Sequence, residues 1–565
     1  MTEEEPVVIV GGGLAGLVAA YEITKAGKKV IIVDQENEGS LGGQAFWSLG
    51  GLFLVDSKQQ RRMGIKDSKE LAMRDWMNSA AFDRPDDEDY WAKQWAEAFV
   101  NFAHDGFRDY LDEVGLSIMP NVGWAERGSM NAEGHGNSVP RFHITWGTGP
   151  EVVRVFREPV LEAAKKGLVD FRFRHRVDSI LIGEGGRATG VSGTVLAPST
   201  AERGVSTDRK ALDTFTITGR AVVVSSGGIG GNVDLVRQMW PTKRLGRAPR
   251  KVVVGVPAHV DGRMLKISED AGANLVNQDR MWHYTEGLTN WDPIWPMHGI
   301  RIIPGPSSLW LDATGKRLPS PCFPGCDTMA TLKAILDTGY DYTWFLLDQS
   351  IIAKEFALSG SEQNPDITGK SLSLLITSRL FSGGKGTGPV QAFQNKGADF
   401  VVRDTFEELV QGMNELAAKQ EGNEAPPPLE YAALRKVVED RDSQVDNPYT
   451  KDAQQMLINN GRAYWLDRLT RIAKPHKLLA PGNGPLIAVR MNIVTRKTLG
   501  GIQTNLKGQV IGQKSREEVV PGLYAAGEVS GFGGGGVHGW GALEGTFLGG
   551  CIFGGRAVGR TLAAL

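Results

Sequence analysis

Three glycines near the start of the chain have the spacing of a phosphate-binding turn. Gly11, Gly13 and Gly16 lie in GGGLAG, between an apolar β-prone run and a helical pattern. The first permits a tight turn, the second permits close approach of a pyrophosphate, and the third permits close helix–strand packing. The N-terminus of the following helix would add partial positive charge. Because Asp34 ends the next apolar run, where an acid can bind a ribose hydroxyl, this context predicts dinucleotide binding.

A second glycine-rich stretch lies near the other end of the chain, in GFGGGGVHGWG (residues 531–541). Runs of glycine let a backbone contact a large flat ligand. We predict that this stretch forms the floor of a ligand site and that its histidine, His538, contacts the substrate. The alternative is a histidine that hydrogen-bonds the ligand or caps a turn.

These residues need regular elements to position them. Residues 6–37 read as strand, glycine turn, helix and strand, which is a βαβ unit. Helical patterns follow, strand signals return, and aromatic residues cluster with prolines from about Asn277 onward. This order predicts a nucleotide-binding domain that is interrupted by an insertion. The predicted domains are 1–280, 281–480 and 481–565.

The bulk composition is that of a globular protein, with 41% hydrophobic and 23% charged residues in 565. The formal net charge of −2 argues against nucleic acid as a partner. The apolar runs are far shorter than the ~18 residues of a membrane span. The acidic N-terminus is unlike a signal peptide, and only three cysteines occur, so we expect a cytoplasmic protein. CFPGC (322–326) could hold a redox pair or half a metal site, but ordinary thiols and no metal are expected.

Four motifs in a fixed order extend the pattern: GGQAFWSLGG (42–51), VVVSSGGIGGN (222–232), KTLGGIQTNLKGQVI (497–511) and GLYAAGEVSGFGGGGVHG (522–539). Together they resemble the flavoprotein superfamily of fumarate reductase, succinate dehydrogenase flavoprotein, L-aspartate oxidase and 3-ketosteroid dehydrogenases. The resemblance implies FAD as cofactor and an α/β fold. In that fold a discontinuous Rossmann-like FAD-binding domain carries an inserted α+β capping domain. Residues 1–280 and 481–565 would form the two parts of the FAD-binding domain, and residues 281–480, the capping part, would form the capping or substrate domain.

The resemblance also implies roles for individual residues. Asp34 would bind the ribose, Val177 the adenine edge, and Glu528 the ribityl or ribose hydroxyls. Gln44 stands where covalently flavinylated members have histidine, which implies non-covalent FAD. The FAD-binding residues implied are Gly11, Gly13, Leu14, Ala15, Gly16, Asp34, Gln35, Gly42, Gly43, Gln44, Ser48, Gly50, Gly51, Val177, Ser226, Gly227, Gly228, Asp261, Gly527, Glu528, Ala542, Gly545, Thr546 and Phe547.

Three departures from the family pattern bear on the substrate. Ala542 stands where fumarate reductases have an arginine that clamps a carboxylate, and Arg496 and Lys497 replace their paired histidines. Ile487 stands where 3-ketosteroid dehydrogenases have a catalytic tyrosine. The nearest likeness is to the 3-ketosteroid dehydrogenases, whose bulky apolar substrates would suit an aromatic cap. A dicarboxylate enzyme remains the alternative, as does a flavoprotein oxidase.

The acid–base chemistry needs a group that exchanges a proton at neutral pH and a donor that polarises a carbonyl. The candidates are His538, Tyr284, Arg496 and Lys497. Tyr284 could relay a proton or only pack, and the two cations could bind an oxygen or form salt bridges. His143 is a second-rank candidate.

The resemblance therefore implies hydride transfer between flavin N5 and a carbon next to a carbonyl, making or saturating a C=C bond. The expected partners are a small-molecule substrate and an external electron acceptor, because no iron–sulfur, haem or second nucleotide motif is found. The sequence leaves the oligomeric state, the substrate and the direction of the reaction open. An FAD protein without turnover is a further alternative.

Overall fold

A computed structural model describes residues 5–128, 134–379, 382–419 and 426–565. The strands in these residues are, in chain order, β1 Val7–Val10, β2 Val30–Asp34, β3 Gly51–Phe53, β4 Ile118–Gly123, β5 Phe142–Thr145, β6 Val169–Phe173, β7 His175–Ile182, β8 Ala188–Leu196, β9 Ala211–Thr218, β10 Ala221–Val224, β11 Val253–Val254, β12 Leu275–Val276, β13 Met281–Thr289, β14 Gly299–Ile303, β15 Leu309–Asp312, β16 Tyr342–Asp348, β17 Ala357–Leu358, β18 Phe400–Arg403, β19 Leu486–Thr498, β20 Gly501–Ile502, β21 Gln509–Ile511 and β22 Val519–Ala525.

The α-helices of the described residues are α1 Leu14–Lys25, α2 Lys58–Arg62, α3 Lys69–Ala80, α4 Tyr90–Asp105, α5 Phe107–Glu113, α6 Thr148–Lys165, α7 Val233–Gln238, α8 Thr242–Leu245, α9 Arg263–Asp270, α10 Thr328–Asp337, α11 Gln349–Glu355, α12 Pro365–Thr368, α13 Leu372–Arg379, α14 Gly388–Lys396, α15 Phe406–Ala418, α16 Tyr431–Ser443, α17 Ala453–Gly461, α18 Trp465–Thr470 and α19 Thr546–Ala563. A short 3-10 helix, Gly43–Trp47, follows the first βαβ unit.

A six-stranded sheet carries the N-terminal βαβ unit, in the order β21-β22-β10-β1-β2-β6. The five strands from β22 to β6 are parallel, and β21 is an antiparallel edge strand. All four residues of β1 are buried, as expected for a central strand covered on both faces. Helices α1 and α6 pack on one face, together with the C-terminal helix α19. The sheet thus joins the two ends of the chain, as the sequence predicts.

An eight-stranded sheet lies in the capping part of the chain, in the order β15-β16-β19-β13-β14-β17, with β11 and β18 also paired to β19. Strand β19 is 13 residues long and pairs with four neighbours. Two strands of this sheet, β11 and β19, lie outside residues 281–480. The sheet thus draws strands from all three predicted segments, and the domain boundaries stay a prediction.

The large aromatic residues of the capping part mostly fill its core. Trp310, Trp344 and Phe345 are 2% exposed or less and belong to one cluster with the helices on the sheet. Trp310 donates its indole N–H to the Thr343 hydroxyl at 2.8 Å, so its polar atom is satisfied. Within the described residues, no helix combines the length and apolarity that crossing a bilayer would need.

Candidate functional site

A cavity lies at the carboxyl ends of the parallel strands and is lined by residues of both the six-stranded sheet and the capping part. Val10, Val33 and Ser225 line it at the ends of β1, β2 and β10. This edge is where α/β sheets bind their ligands. The N-termini of α1 and α19 both reach the cavity, through Leu14 and Leu548. Each supplies backbone N–H groups and partial positive charge to an anionic or electron-rich ligand.

The glycine turn before α1 is built as the sequence predicts. Gly11 has a φ of +102°, and a Cβ there would lie 2.8 Å from the Ser225 carbonyl oxygen. A Cβ at Gly16 would lie 2.3 Å from the Gly11 carbonyl oxygen, which explains the third glycine. A Cβ at Gly13 would meet only the Ser225 oxygen, at 3.7 Å. Gly13 therefore leaves open space for a ligand that approaches the backbone, as a pyrophosphate would.

Asp34 closes the turn from the second strand. Its carboxylate accepts hydrogen bonds from the backbone N–H groups of Gly12, at 2.7 Å, and Glu36, at 2.8 Å. Burial raises the pKa of Asp34, and these two hydrogen bonds oppose that shift. The carboxylate lines the cavity and keeps further lone pairs for a ribose hydroxyl.

The structure brings most of the predicted FAD-binding residues to this cavity. Those that line it are Gly11, Gly13, Leu14, Ala15, Asp34, Gln35, Gly42, Gly43, Gln44, Ser48, Gly51, Val177, Ser226, Gly227, Asp261, Gly527, Glu528, Gly545 and Phe547. Their sequence separation is large, so their convergence is a property of the fold.

Five of the predicted FAD-binding residues lie outside the lining, packed behind it: Gly16, Gly50, Gly228, Ala542 and Thr546. Gly16, Gly50 and Gly228 leave room for neighbouring atoms. A Cβ at Gly228 would lie 2.3 Å from a Glu528 carboxylate oxygen, for example. Ala542 belongs to a small apolar cluster with Trp282 and Tyr284. These positions shape the cavity wall from behind.

Gln44, Lys497 and Glu528 form one polar group at the cavity. The Gln44 amide donates to a Glu528 oxygen at 2.9 Å, and Lys497 Nζ donates to the Gln44 oxygen at 2.9 Å. Lys497 Nζ also lies 3.5 Å from the Glu528 carboxylate. Burial lowers the pKa of Lys497. The group has both a cation and hydrogen-bond acceptors available to a polar edge of a bound ligand.

Arg496 also lines the cavity, with its charge deep in the protein. Its guanidinium donates to the carbonyl oxygen of Gly255, and its backbone N–H donates to His283 Nδ1 at 3.1 Å. Burial lowers the pKa of Arg496, and Tyr284 and Glu362 oppose the shift. Its position fixes a positive charge beside the end of the cavity that contains Tyr284.

Tyr284, Arg301 and Glu544 form a compact buried group in the cavity wall. The Arg301 guanidinium carbon lies 3.5 Å from the Tyr284 ring centroid, and its Nη1 donates to Glu544 Oε1 at 2.7 Å. A cation over an aromatic face and a paired buried carboxylate are both favourable arrangements. Burial, with the charge of Glu544, raises the pKa of Tyr284. The tyrosine is therefore protonated at neutral pH and can donate a hydrogen bond.

Apolar side chains complete this end of the cavity. Leu49, Phe142 and Ile303 all line it and belong to one small apolar cluster. Strand alternation explains why Phe142 lines the cavity while His143 points away. His143 bonds Ser57 Oγ at 2.7 Å and the Arg141 carbonyl at 2.8 Å. Burial lowers the pKa of His143 to about 4, so it is a neutral structural residue.

His538 lies one layer behind the cavity. Its ring packs against Trp76, Phe532 and Phe547, with centroids 5.1 to 5.4 Å apart, and the two phenylalanines line the cavity in front of it. Neither ring nitrogen has a hydrogen-bond partner among the described residues. Burial lowers the pKa of His538 to about 3. The structure thus brings three of the four catalytic candidates to the cavity and leaves His538 outside its lining.

Two residues of the site, Arg301 and Glu544, are missing from the predicted set. Glu544 directly precedes Gly545, the N-cap residue of α19, so an acid within a glycine-rich stretch was an available signal. Arg301 is the only charged residue in the apolar strand GIRII. Their pairing, across 243 positions, has no signal in local spacing.

Comparisons with known proteins agree with this geometry. The FAD binding domain family matches residues 6–548. A KsdD-like steroid dehydrogenase of Mycobacterium tuberculosis is 57% identical over 556 residues, covering 98% of this chain and 95% of that protein. Two solved structures share the fold. They are a 3-ketosteroid delta1-dehydrogenase from Sterolibacterium denitrificans (TM-score 0.68, 16% identity, 100% of both chains) and a flavocytochrome c3 fumarate reductase (TM-score 0.62, 20% identity, 100% of this chain and 78% of that chain).

These matches confirm the predicted family, fold class and cofactor. The cavity, with its glycine turn, buried acid and two helix N-termini, fits FAD. The chain belongs to the FAD binding domain family, in the group of KsdD-like steroid dehydrogenases, and is an FAD-dependent oxidoreductase.

Proposed function

We propose that the protein removes two hydrogens from adjacent carbons of a bulky apolar ketone, such as a 3-ketosteroid, and so forms a C=C bond beside the carbonyl. The reaction takes a hydride from one carbon and a proton from its neighbour. FAD, when bound, supplies the hydride acceptor. The protein must then polarise the carbonyl, accept the proton and exclude water.

Tyr284 is the proposed carbonyl-binding donor. Its pKa is raised, so its hydroxyl keeps its proton and can donate to the substrate oxygen as negative charge develops there. Arg301 packs against the Tyr284 ring, so it holds the tyrosine in place and adds positive potential beside it. A donor that is held in place before the reaction lowers the barrier because no reorganisation is needed.

Glu544 is the proposed proton acceptor. It lines the cavity next to Tyr284 and is held by Arg301 at 2.7 Å. One oxygen is engaged by the arginine. The other has no hydrogen bond to any described residue and is proposed to take the proton from a substrate C–H whose acidity is increased by the adjacent carbonyl. Arg496 and Lys497 are proposed to bind the polar edge of FAD, with Gln44 holding the cofactor non-covalently.

The observation that carries the substrate class is the apolar wall of Leu49, Phe142 and Ile303 in the cavity that contains Tyr284. An apolar ring system gains binding free energy against that wall, because burial of apolar surface contributes about 25 cal/mol per Å². A dicarboxylate needs unpaired cations instead. Arg301 is paired with Glu544, and Arg496 donates to a backbone carbonyl. These pairings favour the ketone over the dicarboxylate.

We further propose an external electron acceptor and a cytoplasmic location. All three cysteines are free, which is typical of a reducing compartment. Among the described residues, no group of three or more His, Cys, Asp or Glu side chains is placed to hold a metal ion. Oxygen as the acceptor would instead make the protein an oxidase, and stoichiometric peroxide during turnover would identify that case.

The test is anaerobic mixing of the yellow protein with 4-androstene-3,17-dione, in parallel with succinate and fumarate. Bleaching near about 450 nm by the steroid supports the proposal. Tyr284→Phe should slow bleaching about 100- to 1000-fold, the usual effect of a lost oxyanion donor. The matched control is Tyr342→Phe in the capping core, because its buried hydroxyl has no hydrogen-bond partner among the described residues. Turnover of fumarate by reduced protein, with no bleaching by the steroid, would refute the substrate class.

A further inference from the structure

Behind Tyr284 lies a buried group of charged side chains, of which the proposed reaction uses only Arg301 and Glu544. Arg301 Nη1 is bonded to Glu544, and its Nη2 lies 3.9 Å from a second carboxylate, that of Glu126. A third, that of Glu286, is also buried and lies close enough to interact with the charges of Arg301 and Glu126. Three buried carboxylates therefore compete for the charge of Arg301, and of these only Glu544 lines the cavity.

Glu126 is held away from Arg301 by three other hydrogen bonds. It accepts from the Thr328 backbone N–H at 2.9 Å and from the Thr328 hydroxyl at 3.1 Å. Its remaining partner is His135, whose Nε2 lies 3.1 Å from Glu126 Oε1. The side chains of Glu126 and His135 are 3% and 12% exposed, so this pair is screened little by solvent.

The Glu126–His135 pair is electrically balanced only if His135 carries a proton. Burial raises the pKa of Glu286, which favours its neutral form. Arg301 is bonded to Glu544 at 2.7 Å, so the charge of Glu126 needs a second cation. Burial opposes protonation of His135, but the negative charges of Glu126, Asp327 and Glu544 together outweigh it and raise the pKa of His135. An uncompensated buried charge is costly, so a charged His135 is the favoured state.

The groups that face His135 come from four parts of the chain. Glu126 bonds it directly, and Asp327 and Glu544 both add negative potential. The Trp282 ring packs against it, with the centroids 5.4 Å apart. Its other nitrogen, Nδ1, has no partner among the described residues. The carboxylates around His135 therefore favour the imidazolium, and Arg301, 3.9 Å from Glu126, is the cation that opposes them.

We propose that Glu126 and His135 are positioning residues of this site: their ion pair keeps Arg301 on Tyr284 and Glu544. This inference rests on the proposed roles of Tyr284 and Glu544. When His135 loses its proton, the charge of Glu126 is no longer balanced and attracts Arg301 across the 3.9 Å gap. The guanidinium then leaves the Tyr284 ring, and the donor and acceptor of the reaction lose their alignment.

The first arm of the experiment needs no substrate. Histidines of the purified holoenzyme are labelled with 13C, and the ring signal that disappears in His135→Gln is followed as pH changes. In the wild type, His135 should titrate above 6.5, the ordinary value. In Glu126→Gln its titration should move below that value, because burial, the largest single influence, then opposes only the more modest potentials of Asp327 and Glu544. An unchanged titration in Glu126→Gln would overturn the inference.

The second arm follows the rate of flavin bleaching by 4-androstene-3,17-dione as a function of pH. The wild-type rate should fall as pH rises through the pKa of His135, and His135→Gln should lose that pH dependence. At neutral pH His135→Gln should be about 10- to 100-fold slower, the usual effect of a displaced catalytic group. The control is His476→Gln, which breaks a 2.6 Å histidine–carboxylate pair with Asp348 in the capping part. It should keep the wild-type profile.

The outcomes separate the two proposals. Bleaching by the steroid with the same pH profile in wild type and His135→Gln overturns the positioning role and leaves the proposed function intact. No bleaching of the wild type at any pH overturns the proposed function. In that case the titration arm still decides whether the Glu126–His135 ion pair exists.

Discussion

Two glycines of one turn, Gly13 and Gly16, should respond differently to the same added methyl group. In Gly16→Ala the methyl would lie 2.3 Å from the Gly11 carbonyl oxygen and 2.7 Å from Ser225 Oγ, where ordinary contact begins near 3.4 Å. The methyl would also disturb the 2.9 Å hydrogen bond that the Ser225 hydroxyl donates to Gly11. Overpacking of this kind costs about 1–3 kcal/mol. The lost hydrogen bond adds about 1 kcal/mol.

Gly13→Ala meets only the Ser225 oxygen, at 3.7 Å, and the backbone there has an ordinary φ of −72°. Alanine is a poorer N-cap than glycine, but it also reduces the entropy of the unfolded chain, so stability should change by less than about 1 kcal/mol. The methyl instead projects into the cavity and displaces the FAD pyrophosphate. Loss of one charge-assisted hydrogen bond costs about 1.5–3 kcal/mol. That is about 10- to 150-fold in Kd.

The assay measures urea unfolding of the apoprotein and, separately, FAD binding by quenching of flavin fluorescence. We expect Gly16→Ala to lower the free energy of unfolding by about 2–4 kcal/mol. Gly13→Ala should change only the Kd for FAD. The control is Gly123→Ala in β4, where a Cβ meets no atom within 4 Å. Equal destabilisation by both variants, or wild-type FAD affinity in Gly13→Ala, would refute the reasoning.

Three further predictions concern the cofactor linkage, pH and buried charge. Acid precipitation should release all the FAD into the supernatant, and yellow colour retained in the pellet would show a covalent bond. Burial lowers the pKa of His538 to about 3 from 6.5, so the unfolded chain binds an extra proton between these values. The free energy of unfolding should therefore fall with decreasing pH, by at most about 1.4 kcal/mol per pH unit for this residue. In urea unfolding at pH 6 and pH 5, His538→Leu should show a pH dependence smaller by about that amount, and an unchanged dependence would contradict the buried neutral state. Asp399→Ala leaves Arg490, 7% exposed, without its 2.8 Å ion-pair partner. It should lower the free energy of unfolding by about 3–5 kcal/mol in the same assay. The control Asp440→Ala removes an exposed ion pair with Lys436 and should lower it by less than about 1 kcal/mol.

The parts of the fold that could be predicted from sequence are those encoded locally. The turn at Gly11 to Gly16, the first βαβ unit and Asp34 depend on residues within about 30 positions, and the structure has them as predicted. The positive φ angle and the close packing in this turn can be satisfied only by glycine, so the sequence shows them directly.

The catalytic end of the cavity could be predicted only in part, because its contacts are long-range. Tyr284 and Arg496 were identified by their neighbourhood in the sequence, but Arg301 and Glu544 acquire their roles only by pairing in three dimensions. His538 shows the converse. Its neighbours include several glycines with positive φ, such as Gly539 at +52°, and successive reversals of the backbone direct the side chain away from the cavity. Such reversals cannot be read from spacing.

The central position of β19 makes the capping part inseparable from the rest of the chain. A fragment of residues 281–480 would lack the strand to which β13, β16 and β18 all pair. It would expose unpaired strand edges, which associate with other chains, so such a fragment should aggregate when it is expressed alone. A nick in the connection before Leu486 should by contrast leave the two pieces held together by sheet pairing. The capping part is thus separate in sequence but not autonomous in folding.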